Sequence, residues 1–127
     1  MGDEPTYVAE PTYTAEEADA VLEELRERLT RIREARQVML RAAEPIAGRG
    51  AARGRRGADE RAAPETLKVE IEWLAERGII LRNPENGLVD LPGEREDRRV
   101  FLCWRLGEGV VAFWHETDVG CLGRRPL

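Results

Sequence analysis

From Thr14 onward the apolar residues fall at three- and four-residue steps: Ala18, Val21, Leu22, Leu25, Leu29, Ile32 and Met39. That is the period of an amphipathic helix, predicted over 14–43. Thr14 suits the N-cap with Glu17 at the capping-box spacing, and Glu16, Glu17 and Asp19 favour the positive end of the helix dipole. Leu22, Leu25, Leu29, Ile32 and Met39 take heptad a and d positions, with Arg36 breaking the seam. A second helix is predicted over 64–77, opened by Pro64 and closed by Gly78, with Leu67, Ile71 and Leu74 as its apolar face and Trp73 beside it. Between the helices, residues 44–63 are Gly-, Ala- and Arg-rich without apolar periodicity and read as a flexible linker. Two helices of unequal length would leave part of the first stripe uncovered, which points to a homodimer formed through the first helix.

After Gly78 the period changes to two. Short strands are predicted at 79–81 and 88–91, joined by the turn Asn83-Pro84-Glu85-Asn86-Gly87, and the second is ended by Pro92-Gly93. Residues 94–98 read as a charged connection. A hairpin, Arg99–Leu106 with Val110–Glu116, turns around Gly107-Glu108-Gly109. A tail, 117–127, closes the chain. The fold class is therefore α+β: an antiparallel helical hairpin with a long first helix, packed with a small three- to four-stranded antiparallel sheet, in a single domain over 1–127.

Hairpin register decides which rare residues meet. With Gly107-Glu108-Gly109 as a three-residue loop, Leu106 pairs with Val110. Leu102, Trp104, Leu106, Val110, Ala112 and Trp114 then share one apolar face, and Phe101, Cys103, Arg105, Val111, Phe113 and His115 share the other. A two-residue turn at Glu108-Gly109 would move His115 off the face of Cys103 and Arg105. The first register is preferred because it leaves one face wholly apolar.

Composition concentrates the chemistry at the end of the chain. The only His, both Cys and two of the three Trp lie in the last 28 residues, Val100–Leu127. The candidate ligand or metal site is Cys103, Arg105, His115, Glu116 and Asp118, with Cys121 close in sequence. Thiol, imidazole and carboxylate are the donor types of a divalent metal such as zinc. Yet no CxxC, HExxH or second His is present, so no cofactor is called for by motif and no catalytic residues are assigned. The Arg side chains 105, 124 and 125 also offer an anion-recognising alternative.

Charge excludes some classes. A net charge of −5 is poor for a nucleic-acid binder. Residues 41–63 carry six Arg against three acids, but no aromatic residue interleaves them, so a solvated linker is the better reading. No stretch approaches the roughly 18 consecutive apolar residues of a membrane span. The acidic start is unlike a signal peptide, and the expectation is a cytoplasmic protein with reduced thiols.

The opening YTAEEADAVLEEL, the GLVDLP strand and the ending LCWRLGE…FWHETDVGCLGRRPL resemble a bacterial family of uncharacterised conserved proteins, domain of unknown function 2203. The Gly/Arg-rich stretch at 45–63 departs from it. The resemblance implies a small bacterial cytosolic protein and carries no activity. The function expected from the sequence is a non-enzymatic homodimeric interaction or scaffold protein; the alternative is a metal- or small-ligand-binding protein using the C-terminal hairpin.

Overall fold

The computed structural model describes residues 12–43 and 53–127, the side chains of 53–56 apart. Helix α1 spans Ala15–Ala42 and α2 spans Arg53–Glu76. Five strands follow: β1 (Ile80–Asn83), β2 (Leu88–Arg95), β3 (Arg98–Trp104), β4 (Phe113–Glu116) and β5 (Arg125–Pro126). They form one antiparallel sheet in the order β1-β2-β3-β4-β5. The protein is α+β, with the helical pair packed on one face of the sheet. Among the described residues no helix is long and apolar enough to cross a membrane.

The start of α1 is as its sequence requires. Thr14 Oγ1 accepts the Glu17 N–H at 3.0 Å, and Glu17 Oε1 accepts the Thr14 N–H at 2.9 Å. Ala18, Leu22, Leu25, Leu29 and Ile32 are buried in one cluster with Trp73, Leu74, Val89, Leu91, Val100, Leu102, Trp104 and Trp114. The stripe on α1 is thus covered from within the chain over most of its length.

The second helix differs from expectation in start and phase. It begins at Arg53 rather than near Pro64, so 53–63 is helical, not linker; residues 44–52 lie outside the described residues. Arg, Ala and Glu are strong helix formers and outweigh Gly54 and Gly57, while Pro64 is tolerated on an exposed side. Its buried face holds Ala63, Glu70, Trp73 and Leu74, with Leu67 half-buried, and Ile71 is 48% exposed. Residues 63, 67, 70 and 74 keep four- and three-residue steps, and Ile71 lies about a fifth of a turn from the centre of that face. Glu70 is only 5% exposed because two α1 arginines answer it: Arg28 Nη1 at 2.8 Å and Arg31 Nη1 at 3.2 Å. Gly78 adopts φ 71°, and the Ile79 N–H reaches back to the Leu74 carbonyl at 3.0 Å, closing α2 by a left-handed cap.

The sheet has five strands, not three or four, and differs from expectation in two ways. First, β2 continues through Pro92-Gly93. Pro92 lies beyond the end of β1, and its carbonyl faces outward to accept the Tyr13 N–H at 2.8 Å, so its missing N–H breaks no ladder bond. The charged segment is then a tight turn, with Glu96 (φ 52°) and Asp97 (φ 64°) between Arg95 and Arg98 as in a type I′ hairpin. Second, the tail returns to add β5 beside β4.

The hairpin of β3 and β4 has the preferred register: Phe101 faces His115, Leu102 faces Trp114 and Cys103 faces Phe113. The β3–β4 ladder stops at the Cys103–Phe113 pair, however, and residues 105–112 form an irregular loop. Asp19 Oδ1 accepts the Val111 N–H at 2.8 Å, Arg26 donates to the Gly109 carbonyl at 2.7 Å, and Trp104 Nε1–H donates to the Glu108 carbonyl at 3.2 Å. These bonds turn Val111 inward and leave Val110 exposed, the reverse of the expected alternation.

Two substitutions test this core. Leu29→Ala costs about 2–5 kcal/mol of unfolding free energy. Ile71→Ala, on the expected but unrealised face of α2, costs under about 1 kcal/mol. Denaturant titrations of both variants check the pair; an Ile71→Ala loss as large as that of Leu29→Ala would contradict the helix phase.

Candidate metal centre

Alternation along the sheet sorts its residues into two faces. Val89, Leu91, Val100, Leu102, Trp104 and Trp114 point to the helices and are buried. The other face carries Arg82 from β1, Asp90 from β2, Phe101 and Cys103 from β3, and Phe113 and His115 from β4. Register places Asp90 directly opposite Cys103 and sets His115 diagonal to Cys103. After β4 the Val119 N–H bonds the Glu116 carbonyl at 3.1 Å, and a single 3-10 turn, Cys121–Gly123, brings Cys121 back over this face.

The result is a largely buried polar cluster. Asp90 is 1% exposed, His115 2% and Cys103 0%, with Cys121 half-buried. One donor atom from each of Asp90, Cys103, His115 and Cys121 lies within 4.8 Å of every other. Cys103 and Cys121 are joined by a disulfide with a Cα–Cα separation of 6.6 Å, where the sequence led us to expect reduced thiols. The sequence separation of 18 had hidden how closely the returning tail covers β3.

Hydrogen bonding orients the two ionisable partners. His115 Nδ1 lies 2.8 Å from the Glu116 carbonyl oxygen, which only accepts, so Nδ1 carries the hydrogen. Nε2 is directed at Asp90 Oδ1, 2.9 Å away; a carboxylate oxygen also only accepts, so a proton lies between the two, in the place a metal ion would take. Asp90 Oδ2 accepts from Arg82 Nε at 2.7 Å. Cys121 Sγ stands 3.8 Å from Asp90 Oδ1, and Arg124 Nη1 stands 3.8 Å from Cys103 Sγ. The Phe101 ring lies beside the imidazole at a centroid distance of 5.6 Å, and Arg82 stacks over Phe101 at 5.3 Å. A pocket of about 410 Å³, bounded by Arg82, His115, Asp118 and Cys121 among others, opens beside the cluster.

The five residues singled out from the sequence separate here. Cys103 and His115 converge. Glu116 turns its carboxylate away to Arg98 at 3.0 Å and serves the cluster only through its backbone carbonyl. Arg105 is exposed and lies 3.9 Å from Glu108. Asp118 is exposed on the rim of the pocket. Of the other arginines on this side, Arg124 is bound to Glu108 at 2.7 Å and Arg125 lies over Trp114 at 5.4 Å. Asp90 was missed. The available signal was an acid inside the apolar run Leu88-Val89-Asp90-Leu91, on the face that alternation assigns to solvent.

The family model of an uncharacterized conserved protein (DUF2203) matches residues 11–127. The chain belongs to this family. The match takes in both helices, all five strands and the whole cluster. Neither a curated protein nor a solved structure matches the chain.

The returning tail is fastened by Glu108. Partial burial pushes its carboxyl up, but the hydrogen bonds from Arg124 and the Arg105 N–H, with the charges of both arginines, outweigh this and hold it below the ordinary carboxylate value of 4.5. A lowered folded-state value contributes stability above the ordinary carboxylate range, and that contribution is lost as pH falls through the lowered value. Glu108→Gln is therefore expected to melt a few degrees below the parent at pH 7, with the gap closing as both are acidified to about pH 3. Thermal melts across that range check it, and a gap that stays constant with pH would refute the assignment.

Proposed function

We propose that this protein binds one divalent transition-metal ion, zinc foremost, through Asp90, Cys103, His115 and Cys121 when the two cysteines are reduced. The observation that carries the reading is the approach of two sulfurs, an imidazole nitrogen and a carboxylate oxygen to within 4.8 Å of one another. Two thiolates and an imidazole select zinc over calcium or magnesium, which take all-oxygen ligands. The outer contacts support it too. His115 has its Nδ1–H on a backbone carbonyl, the arrangement that presents Nε2 to a metal, and Asp90 keeps one oxygen on Arg82 and the other toward the cluster. Three anionic ligands exceed the charge of the ion by one, and Arg82 supplies the balancing positive charge. Four protein donors complete a tetrahedral shell, so the centre is read as structural and the protein as non-enzymatic. A reducing bacterial cytoplasm, the setting expected from the sequence, favours the dithiol form.

Protein purified without a polyhistidine tag under reducing, anaerobic conditions is expected to carry about one zinc per chain by elemental analysis. His115→Ala and Asp90→Asn are expected to lose it to a chromogenic chelator at concentrations that leave the parent loaded. Cobalt(II) should give a sulfur-to-metal charge-transfer band with the intense visible bands of tetrahedral coordination. A reduced chain that takes up neither ion would overturn the proposal.

A second reading, self-association through the helices, draws on Met39 and Leu40 of α1 and Val69 and Ile71 of α2, which remain exposed. Less of α1 is left uncovered than two helices of the expected lengths would leave, because α2 reaches back to Arg53 and the α1 stripe from Ala18 to Ala35 is buried. Light scattering over a concentration series decides it: a growing dimer fraction is expected, and a strict monomer at high concentration removes this reading.

A further inference from the structure

The disulfide and the proposed metal centre use the same two sulfurs. A sulfur engaged in a disulfide is no thiolate ligand, so the two states exclude each other. We infer that Cys103 and Cys121 form a thiol–disulfide switch that captures the metal when reduced and expels it when oxidised, with a small-molecule disulfide as the oxidant. This rests on the metal-binding reading above.

The two cysteines are placed for different parts in such an exchange. Cys103 sits on β3 between β2 and β4, fully buried, with no approach for a second molecule. Cys121 sits on the returning tail, half-buried, between Gly120 and Gly123. It lines both the pocket beside the cluster and a neighbouring one of about 590 Å³, shared with Asn86, Arg105 and Arg124. Cys121 is therefore the sulfur that an outside disulfide can reach. The Cys121 thiolate attacks one sulfur of the small disulfide, forming a mixed disulfide and releasing the first small thiolate. The Cys103 thiolate then attacks Cys121 Sγ, forming the Cys103–Cys121 bond and releasing the second. The protein dithiolate is oxidised by two electrons and the small disulfide is reduced by two. The two departing thiolates take two protons from solvent, and the metal, deprived of both sulfurs, leaves as the aqueous ion.

Little else has to move. Two thiolates about 2.3 Å from a tetrahedral zinc stand about 3.8 Å apart. Cys121 Sγ already lies that far from Asp90 Oδ1. Asp90 and His115 are held independently, by Arg82 and by the Glu116 carbonyl. Opening the site is thus a shift of the Cys121 turn over a fixed sheet. Both states clamp the tail, one by a covalent bond and one by a shared ion, so the switch trades one clamp for the other without unfolding the C-terminal segment.

The test uses the full chain, reduced anaerobically, loaded with one equivalent of zinc and titrated with oxidised glutathione. Free zinc is read with a chromogenic chelator and protein thiols by alkylation and intact mass. Zinc and two thiols are expected to be lost together, one zinc per disulfide, with zinc affinity falling at least about 100-fold and returning on reduction. Cys103→Ser should trap a glutathione adduct on Cys121, whereas Cys121→Ser should leave Cys103 largely unmodified. Failure of the reduced chain to load zinc would overturn the underlying metal reading. Zinc retained by the fully disulfide-bonded chain, or thiols that resist oxidation while zinc stays bound, would overturn the switch alone. Adduct formation on Cys103 rather than Cys121 would overturn the order of attack.

Discussion

The antiparallel pairing of β2 with β3 is the constraint on which the rest of the structure depends. With Val89 opposite Trp104, Asp90 opposite Cys103 and Leu91 opposite Leu102, apolar side chains gather on one face and the acid and the thiol on the other. Strand alternation has a period of two, so a slip of one residue between these strands would set Asp90 opposite Leu102 or Trp104, and either the acid would turn to the helices or those apolar residues would turn away from them. The Glu96-Asp97 turn holds this register, because a two-residue turn with both residues left-handed leaves no freedom in how its strands align.

Each face of the sheet then has its own cover. The helical pair closes the apolar face, and its cohesion includes a polar element, Glu70 between Arg28 and Arg31. A carboxylate that deep is tolerated because two guanidinium groups replace the water it gives up. The opposite face is covered by the segment after β4, residues 117–127. What holds it is specific: the β5 pairing, the Arg124–Glu108 ion pair, Arg124 over Phe113 at 4.0 Å and the link from Cys121 to Cys103. A segment fastened by these contacts is the part of this face that the proposed exchange of disulfide for metal would shift.

Much of the fold was legible from residue pattern. The α1 stripe, its capping box, the Gly78 cap and the β3–β4 register follow from local periodicity and turn chemistry, which act within a few residues. Cys103 and His115 stood out by rarity, and register alone made them neighbours. Glu116 and Asp118 were drawn in by adjacency in sequence, which in a strand end and a turn does not keep side chains on one face. The phase of α2 was misread because Ile71 looked more apolar than Glu70. The partners that make Glu70 the buried residue lie on α1, about forty residues earlier.

What the sequence by itself determined was the class of the fold, the two faces of the sheet and the residue types available for chemistry, since these depend on intervals of two to four residues. Only the tertiary structure decided that Asp90 is buried, that Cys121 returns to Cys103, and that Asp90, Cys103, His115 and Cys121 bring an oxygen, two sulfurs and a nitrogen within 4.8 Å of one another. Alternation says which face a residue occupies. Whether that face meets water depends on a tail folding back across it, and that contact spans 31 residues from Asp90 to Cys121.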